Sequence, residues 1–78
     1  MYWYDYSTKH EPTSSNVRYF KCDELEDVDK LPTTTTPGEQ QGDDNVSCMP
    51  CARGSECTCI DPPSVWMLNS YGEWKQLG

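Results

Sequence analysis

The chain has 78 residues, with 6 Lys/Arg against 13 Asp/Glu, a formal net charge of −7 and a pI near 4.3. That balance excludes a nucleic-acid binder, which neutralises phosphate with a basic face, and no apolar run approaches the ~18 residues of a membrane-spanning helix. Only 35% of residues are apolar, while 12% are aromatic and five are cysteine; a core this small contributes few kcal/mol and calls for a staple such as a metal, a disulfide or a neighbouring subunit.

The opening Met1-Tyr2-Trp3-Tyr4-Asp5 lacks the basic start and apolar stretch of a signal peptide, so synthesis in a cytoplasm without conventional secretion is expected. Over residues 1–8, Tyr2, Tyr4 and Tyr6 alternate with Trp3 and Asp5, which predicts an aromatic strand with bulky groups on both faces. Thr8 to Asn16 is polar, contains Pro12 and predicts a loop. Val17 to Cys22 predicts a second strand, with Val17, Tyr19 and Lys21 on one face and Arg18, Phe20 and Cys22 on the other. Asp23 is placed to cap a short helix over 24–30, with Leu25, Val28 and Leu31 at helical spacing and Pro32 ending it. The five acids between Asp23 and Asp29 read as a solvated helix start.

Residues 32–47 are rich in Thr, Pro, Gly, Gln and Asp, a composition that cannot bury a core and reads as a linker or an ordered excursion along a neighbour. Three regions follow: aromatic strands and an acidic helix or turn over 1–31, the linker over 32–47, and a cysteine-rich loop with a β-meander over 48–78. Glu56 to Ile60, Val65 to Leu68 and Glu73 to Leu77 predict three antiparallel strands, with Asp61-Pro62-Pro63-Ser64 breaking the first pair. Asn69-Ser70-Tyr71-Gly72 predicts a four-residue hairpin connection in which Gly72 adopts φ > 0, and Trp66 and Trp74 support that hairpin from either strand. The expected class is therefore small and mostly β: a C-terminal three-stranded antiparallel meander, a cysteine-rich loop, extended N-terminal strands and little helix.

Four of the cysteines fall within twelve residues, as Cys48-Met-Pro-Cys51 and Cys57-Thr-Cys59. In a reducing compartment clustered pairs point to zinc before disulfides. A Cys-x-x-Cys turn aims two sulfurs at one point and a Cys-x-Cys strand sends two from one face, so Cys48, Cys51, Cys57 and Cys59 can supply four thiolates at about 2.3 Å, with Cys22 a substitute ligand or disulfide partner. Disulfides formed in an oxidising medium and simple buried thiols are the alternatives. A redox enzyme fits poorly, because Cys48-Met-Pro-Cys51 lacks a βαβ setting. The single His10, beside Glu11 and Pro12 in a polar stretch, offers no fixed partner for acid–base work, so no enzymatic activity is expected.

The runs Asp27-Val-Asp-Lys-Leu-Pro32, Gly54-Ser-Glu-Cys-Thr-Cys-Ile-Asp61 and Val65-Trp-Met-Leu-Asn-Ser-Tyr-Gly-Glu-Trp-Lys-Gln-Leu77 resemble a small β-module of tailed bacteriophages, over residues 27–78. That module has an Asp-Leu-Pro-type entry, a strand after Gly and a terminal hairpin ending in Gly-x-Trp. It occurs in tail-fibre and head-fibre proteins and in short virion-gene products of phages of Gram-positive bacteria. The resemblance implies a virion component: a capsid decoration, head-fibre or head–tail accessory protein, made in the host cytoplasm, present in many copies and contacting other virion proteins such as the major capsid protein. Tyr2, Trp3, Tyr4, Tyr6, Tyr19 and Phe20 are then the expected partner-contact aromatics, with a small core of their own as the alternative. The acid run suggests a second function, a small phage-encoded inhibitor that mimics nucleic-acid phosphate on a basic host defence protein or nuclease.

Overall fold

Five short strands run side by side in chain order in the computed structural model, which describes residues 1–5, 17–39 and 46–78. They are β1 (Tyr2–Tyr4), β2 (Tyr19–Glu24), β3 (Glu56–Asp61), β4 (Ser64–Leu68) and β5 (Trp74–Gln76). Two 3-10 helices, Leu25–Lys30 and Val46–Cys48, are the helical content among the described residues. The protein is therefore mostly β with little helix, as its composition predicts.

The sheet is mixed, and here the structure departs from the expected meander. β1–β2, β3–β4 and β4–β5 pair antiparallel, but β2 pairs parallel with β3, in the register Phe20↔Cys57 and Cys22↔Cys59. The last three strands are thus one flank of a continuous sheet. A parallel pair needs a crossover of a dozen or more residues, and the chain between β2 and β3 supplies it while laying a cover over one face.

Side-chain alternation decides which face is covered. Tyr2, Tyr4, Phe20, Cys22, Cys57, Cys59 and Leu68 point inward and are buried with Val28, Leu31 and Cys51 from the crossover; Trp66 and Trp74 pack against them. Phe20 is the hub of this layer. Its ring meets Tyr2 at 5.8 Å, Tyr4 at 5.9 Å and Trp74 at 6.2 Å, all edge-to-face, the arrangement favoured by the ring quadrupole. On the other face stand Trp3, Tyr19, Val65 and Met67, all partly exposed.

The elements differ from expectation in instructive ways. Of the strand predicted over 1–8, Tyr2–Tyr4 is observed, and residues 6–8 lie outside the described residues, as does the predicted loop over 8–16. The helix predicted over 24–30 is a single 3-10 segment capped by Glu24, one residue later than Asp23. Val28 and Leu31 are buried as their spacing predicts, but Leu25 is 44% exposed and lines an open groove with Asp61 and Pro62. Trp66 faces Gln76 and Trp74 faces Leu68, so the indoles sit diagonally rather than as opposed partners. The hairpin between them is built as read: Gly72 has φ +80°, and the Asn69 side-chain oxygen accepts the Tyr71 and Glu73 N–H groups. The Asp61–Pro62 peptide is cis.

Within the Thr/Pro/Gly stretch, the described residues 32–39 lie on the sheet. Pro32 is fully buried, and its carbonyl accepts the Trp74 indole N–H at 2.9 Å. The Tyr2 hydroxyl reaches the carbonyls of Glu39 at 2.7 Å and Ser47 at 2.9 Å. Gly38 is the point of closest approach: a Cβ there would lie 2.6 Å from the Tyr2 hydroxyl oxygen, 2.6 Å from Pro32 N and 2.8 Å from Lys30 O. Two of those three atoms are backbone and cannot rotate away. Gly38→Ala is expected to destabilise the fold by about 1–3 kcal/mol, the usual range for overpacking, read as a lowered urea midpoint with an unchanged slope. An unchanged midpoint would mean that this segment does not dock on Tyr2.

Candidate functional site

Three features hold chemistry: a buried carboxylate at the edge of the sheet, a thiol cluster across the β2–β3 seam, and the partly open outer face.

The carboxylate is Asp27. Sequence reading places it among five equivalent solvated acids, yet it is 1% exposed, while Asp23, Glu24, Glu26 and Asp29 are exposed. The 3-10 turn directs it under β1, where its Oδ2 meets the α-ammonium of Met1 at 2.6 Å and accepts the Glu24 N–H at 3.0 Å, while Oδ1 faces Lys30 Nζ at 3.6 Å. The hydrogen bond from the Met1 ammonium outweighs burial and holds the Asp27 carboxyl below its usual range; the same bond raises the Met1 ammonium. Asp27 thereby anchors the start of β1 to the end of β2. Of its exposed neighbours, Asp23 adds a longer contact to the Met1 ammonium at 3.8 Å, while Glu24, Glu26 and Asp29 line an open groove with Leu25, Asp61 and Pro62. A hydrogen bond and charge from Glu26 raise the Glu24 carboxyl.

Arg18 is the second residue whose placement the sequence does not signal. It is 4% exposed, and its Nη1 donates to Pro50 O at 2.8 Å while its backbone N–H donates to Ser55 Oγ at 3.0 Å. It clamps the turn before β3 onto the start of β2. The only available signal was its place on the inward face with Phe20 and Cys22 in the predicted alternation.

The cysteines divide by location. Cys22, Cys57 and Cys59 are all fully or almost fully buried, facing inward from β2 and β3, with Cys57 Sγ and Cys22 Sγ 3.6 Å apart. Cys51 is buried elsewhere, with its thiol 3.9 Å from Pro32 O, and Cys48 is partly buried in the second 3-10 helix. The fold therefore brings Cys57 and Cys59 to Cys22 and sets Cys51 against Pro32. Among the described residues no three His, Cys, Asp or Glu side chains are grouped to hold a metal ion, and none of the five cysteines is joined in a disulfide. Burial pushes the Cys57 thiol up to about 11, and burial together with the neighbouring Cys57 and Cys59 pushes Cys22 higher still. Burial likewise raises Cys51, an effect that Ser55 and Arg18 oppose. These thiols stay protonated at neutral pH, so they are poor nucleophiles in the folded state.

Of the six aromatics expected at a partner surface, Tyr2, Tyr4 and Phe20 are core residues, at 0%, 4% and 2% exposure. Tyr2, Tyr4, Phe20 and Cys22 alternate inward along β1 and β2, so these three aromatics fill the core instead of meeting a partner. Trp3 and Tyr19 stand on the outer face, and Tyr6 lies outside the described residues. Register aligns Trp3, Lys21, Thr58 and Val65 in one row across four strands, and Tyr19, Glu56, Met67 and Lys75 in the next. Lys21 is paired with Asp5 at 3.6 Å. Ile60, at 56% exposure, extends the apolar surface toward the acidic groove. Among the described residues no helix is long and apolar enough to cross a membrane. Comparison with protein-family models, with curated proteins and with solved structures finds no match.

Proposed function

We propose that the chain is a structural binding module of a bacteriophage particle, a decoration, head-fibre or head–tail accessory protein that docks through the outer face of its sheet. The observation that carries this reading is the asymmetry of the sheet. One face is sealed by the crossover, while the other offers Trp3, Tyr19, Val65 and Met67, bordered by Lys21, Lys75 and Glu56. Aromatic and Met side chains ringed by polar groups are the make-up of a protein-binding surface. The hairpin from Val65 to Trp74 supports the same reading through its resemblance to the phage module. A 78-residue chain with a one-sided core gains stability when a repeated lattice covers its second face.

A second reading has its own support. Glu24, Glu26, Asp29 and Asp61 converge on one groove at the end of β2 and β3, a spacing of negative charge that suits a basic host protein better than a capsid.

One experiment separates the two. The protein is expected to co-sediment with assembled particles, and Met67→Lys, which replaces an outer-face side chain opposite Glu56, is expected to lower the bound fraction about tenfold, the size of a lost interface contact, with little change in Tm. A protein confined to the soluble lysate, held on a basic partner and released by salt, would favour phosphate mimicry instead.

A further inference from the structure

We propose that Cys22 and Cys57 are a latent disulfide, which closes across the parallel seam between β2 and β3 when the protein meets a low-molecular-weight disulfide such as oxidised glutathione. The two sulfurs are already in contact at 3.6 Å, and both residues are 0% exposed. They sit on the inward face of adjacent strands, displaced by two residues in the register that pairs Phe20 with Cys57 and Cys22 with Cys59. Positions offset by two residues on neighbouring strands lie about 7–8 Å apart at Cα, beyond the usual span of a disulfide, so closing the sulfurs to about 2.05 Å needs the two strands to shift as well as the side chains to rotate.

The other candidates are less well placed. Cys59 stands directly opposite Cys22 in the register and is its nearest rival partner, so the mapped cross-link must distinguish the two pairs. The Cys59 thiol is turned toward Asp61 O at 3.7 Å, and Cys51 is packed against Pro32 O.

The chemistry balances as two exchanges. One cysteine thiolate attacks a sulfur of oxidised glutathione, forming a mixed disulfide and expelling one glutathione thiolate. The second cysteine thiolate attacks the protein sulfur of that mixed disulfide, forming the Cys22–Cys57 bond and expelling the second. Two electrons pass from the cysteines to the glutathione disulfide, and the two protons of the thiols end on the two glutathione molecules released. Because both thiols are buried and protonated, the first attack needs the seam to open, so reaction follows local unfolding rather than surface access. Once formed, the bond ties the N-terminal strand pair to the C-terminal strands across a separation of 35 residues, which restricts the unfolded chain. A protein reduced in a cytoplasm and later exposed to an oxidising medium would thus gain its staple after leaving.

The test uses the full chain, purified with all thiols reduced and then incubated with oxidised glutathione in increasing urea below the unfolding transition. After the remaining thiols are blocked, the expected product is a chain that has lost two hydrogens, with a cross-linked peptide containing Cys22 and Cys57. Its formation rate is expected to rise with urea, dithiothreitol to reverse it, and Tm to rise on the order of 10 °C in the oxidised form. Cys57→Ala is expected to abolish the product. A cross-link joining any other pair, stable glutathione adducts without a cross-link, or five unreacted thiols would overturn the proposal. Peptide mapping on the unaltered chain decides the matter even where Cys57→Ala fails to fold.

Discussion

Asp27→Ala is expected to lose on the order of 2–4 kcal/mol of stability, a large fraction of the total for a domain this small. The loss lies a little below that for a fully buried ion pair because only one partner is buried. Asp27 has a side chain 2% exposed, whereas that of Met1 is 68% exposed. Removing the carboxylate leaves the Glu24 N–H without its acceptor, frees Lys30 and leaves the Met1 ammonium with only the exposed Asp23 carboxylate at 3.8 Å. The Glu24–Asp27 turn and the start of β1 loosen together. Asp27→Asn keeps an oxygen for the Glu24 N–H, so it is expected to cost less than Ala but to show the same electrostatic signature.

That signature lies in the pH dependence. The folded-state pKa of Asp27 is lowered, so its contribution is present above the unfolded value of about 4 and is lost as pH falls through the lower folded value. The Met1 ammonium is raised above 8.0, so its contribution is complete below that value and is lost as pH rises through the raised one. Stability should therefore be flat through neutrality and fall at both ends. Asp27→Asn should flatten the acid limb while leaving the other carboxylates to titrate. Thermal melts from pH 2 to 10 on the parent and the Asn variant supply the comparison. An acid limb identical in the two proteins would show that Asp27 is not the group that carries it.

The features legible in the sequence were those with local causes. The Asn69–Gly72 hairpin follows from turn chemistry, and the strand ends at Pro62 from backbone geometry. Alternation in β1 and β2 correctly pairs Tyr2 with Tyr4 on one face and sets Trp3 on the other. It cannot say which strand lies alongside, so the parallel seam between β2 and β3 was hidden: the two segments are separated by the whole crossover. The same blindness governs the sulfurs. Proximity in sequence favours Cys48, Cys51, Cys57 and Cys59, whereas sheet register carries Cys22 from a distant strand to Cys57 and Cys59. Asp27 was concealed by its neighbours, since a run of acids offers no sequence clue to which one the 3-10 turn buries. The polar stretch after Pro32 misled in another way, because it docks through backbone groups and a glycine rather than through apolar side chains.

Phe20→Ala is the second large loss, expected at about 3–5 kcal/mol, the range for truncating a buried aromatic. The position explains why the upper part of that range applies. Phe20 is 2% exposed and contacts Tyr2 and Tyr4 from β1 and Trp74 from β5, so one ring holds both edges of the sheet to its centre. The Tyr2 hydroxyl is tied to Glu39 O and the Trp74 indole to Pro32 O, which limits how far either ring can collapse into the vacated space. A cavity that cannot collapse retains its full cost. Phe20→Leu keeps most of the volume and forfeits the three edge-to-face contacts, so it should fall between Ala and the parent, with each aromatic contact worth about 0.5–1.5 kcal/mol beyond area. Tyr19→Ala, one residue away on the outer face, should cost clearly less. Urea midpoints for the three variants rank these effects. If Tyr19→Ala costs as much as Phe20→Ala, the inner layer is not the core that holds the sheet together, and the outer face must be buried within the chain rather than left for a partner.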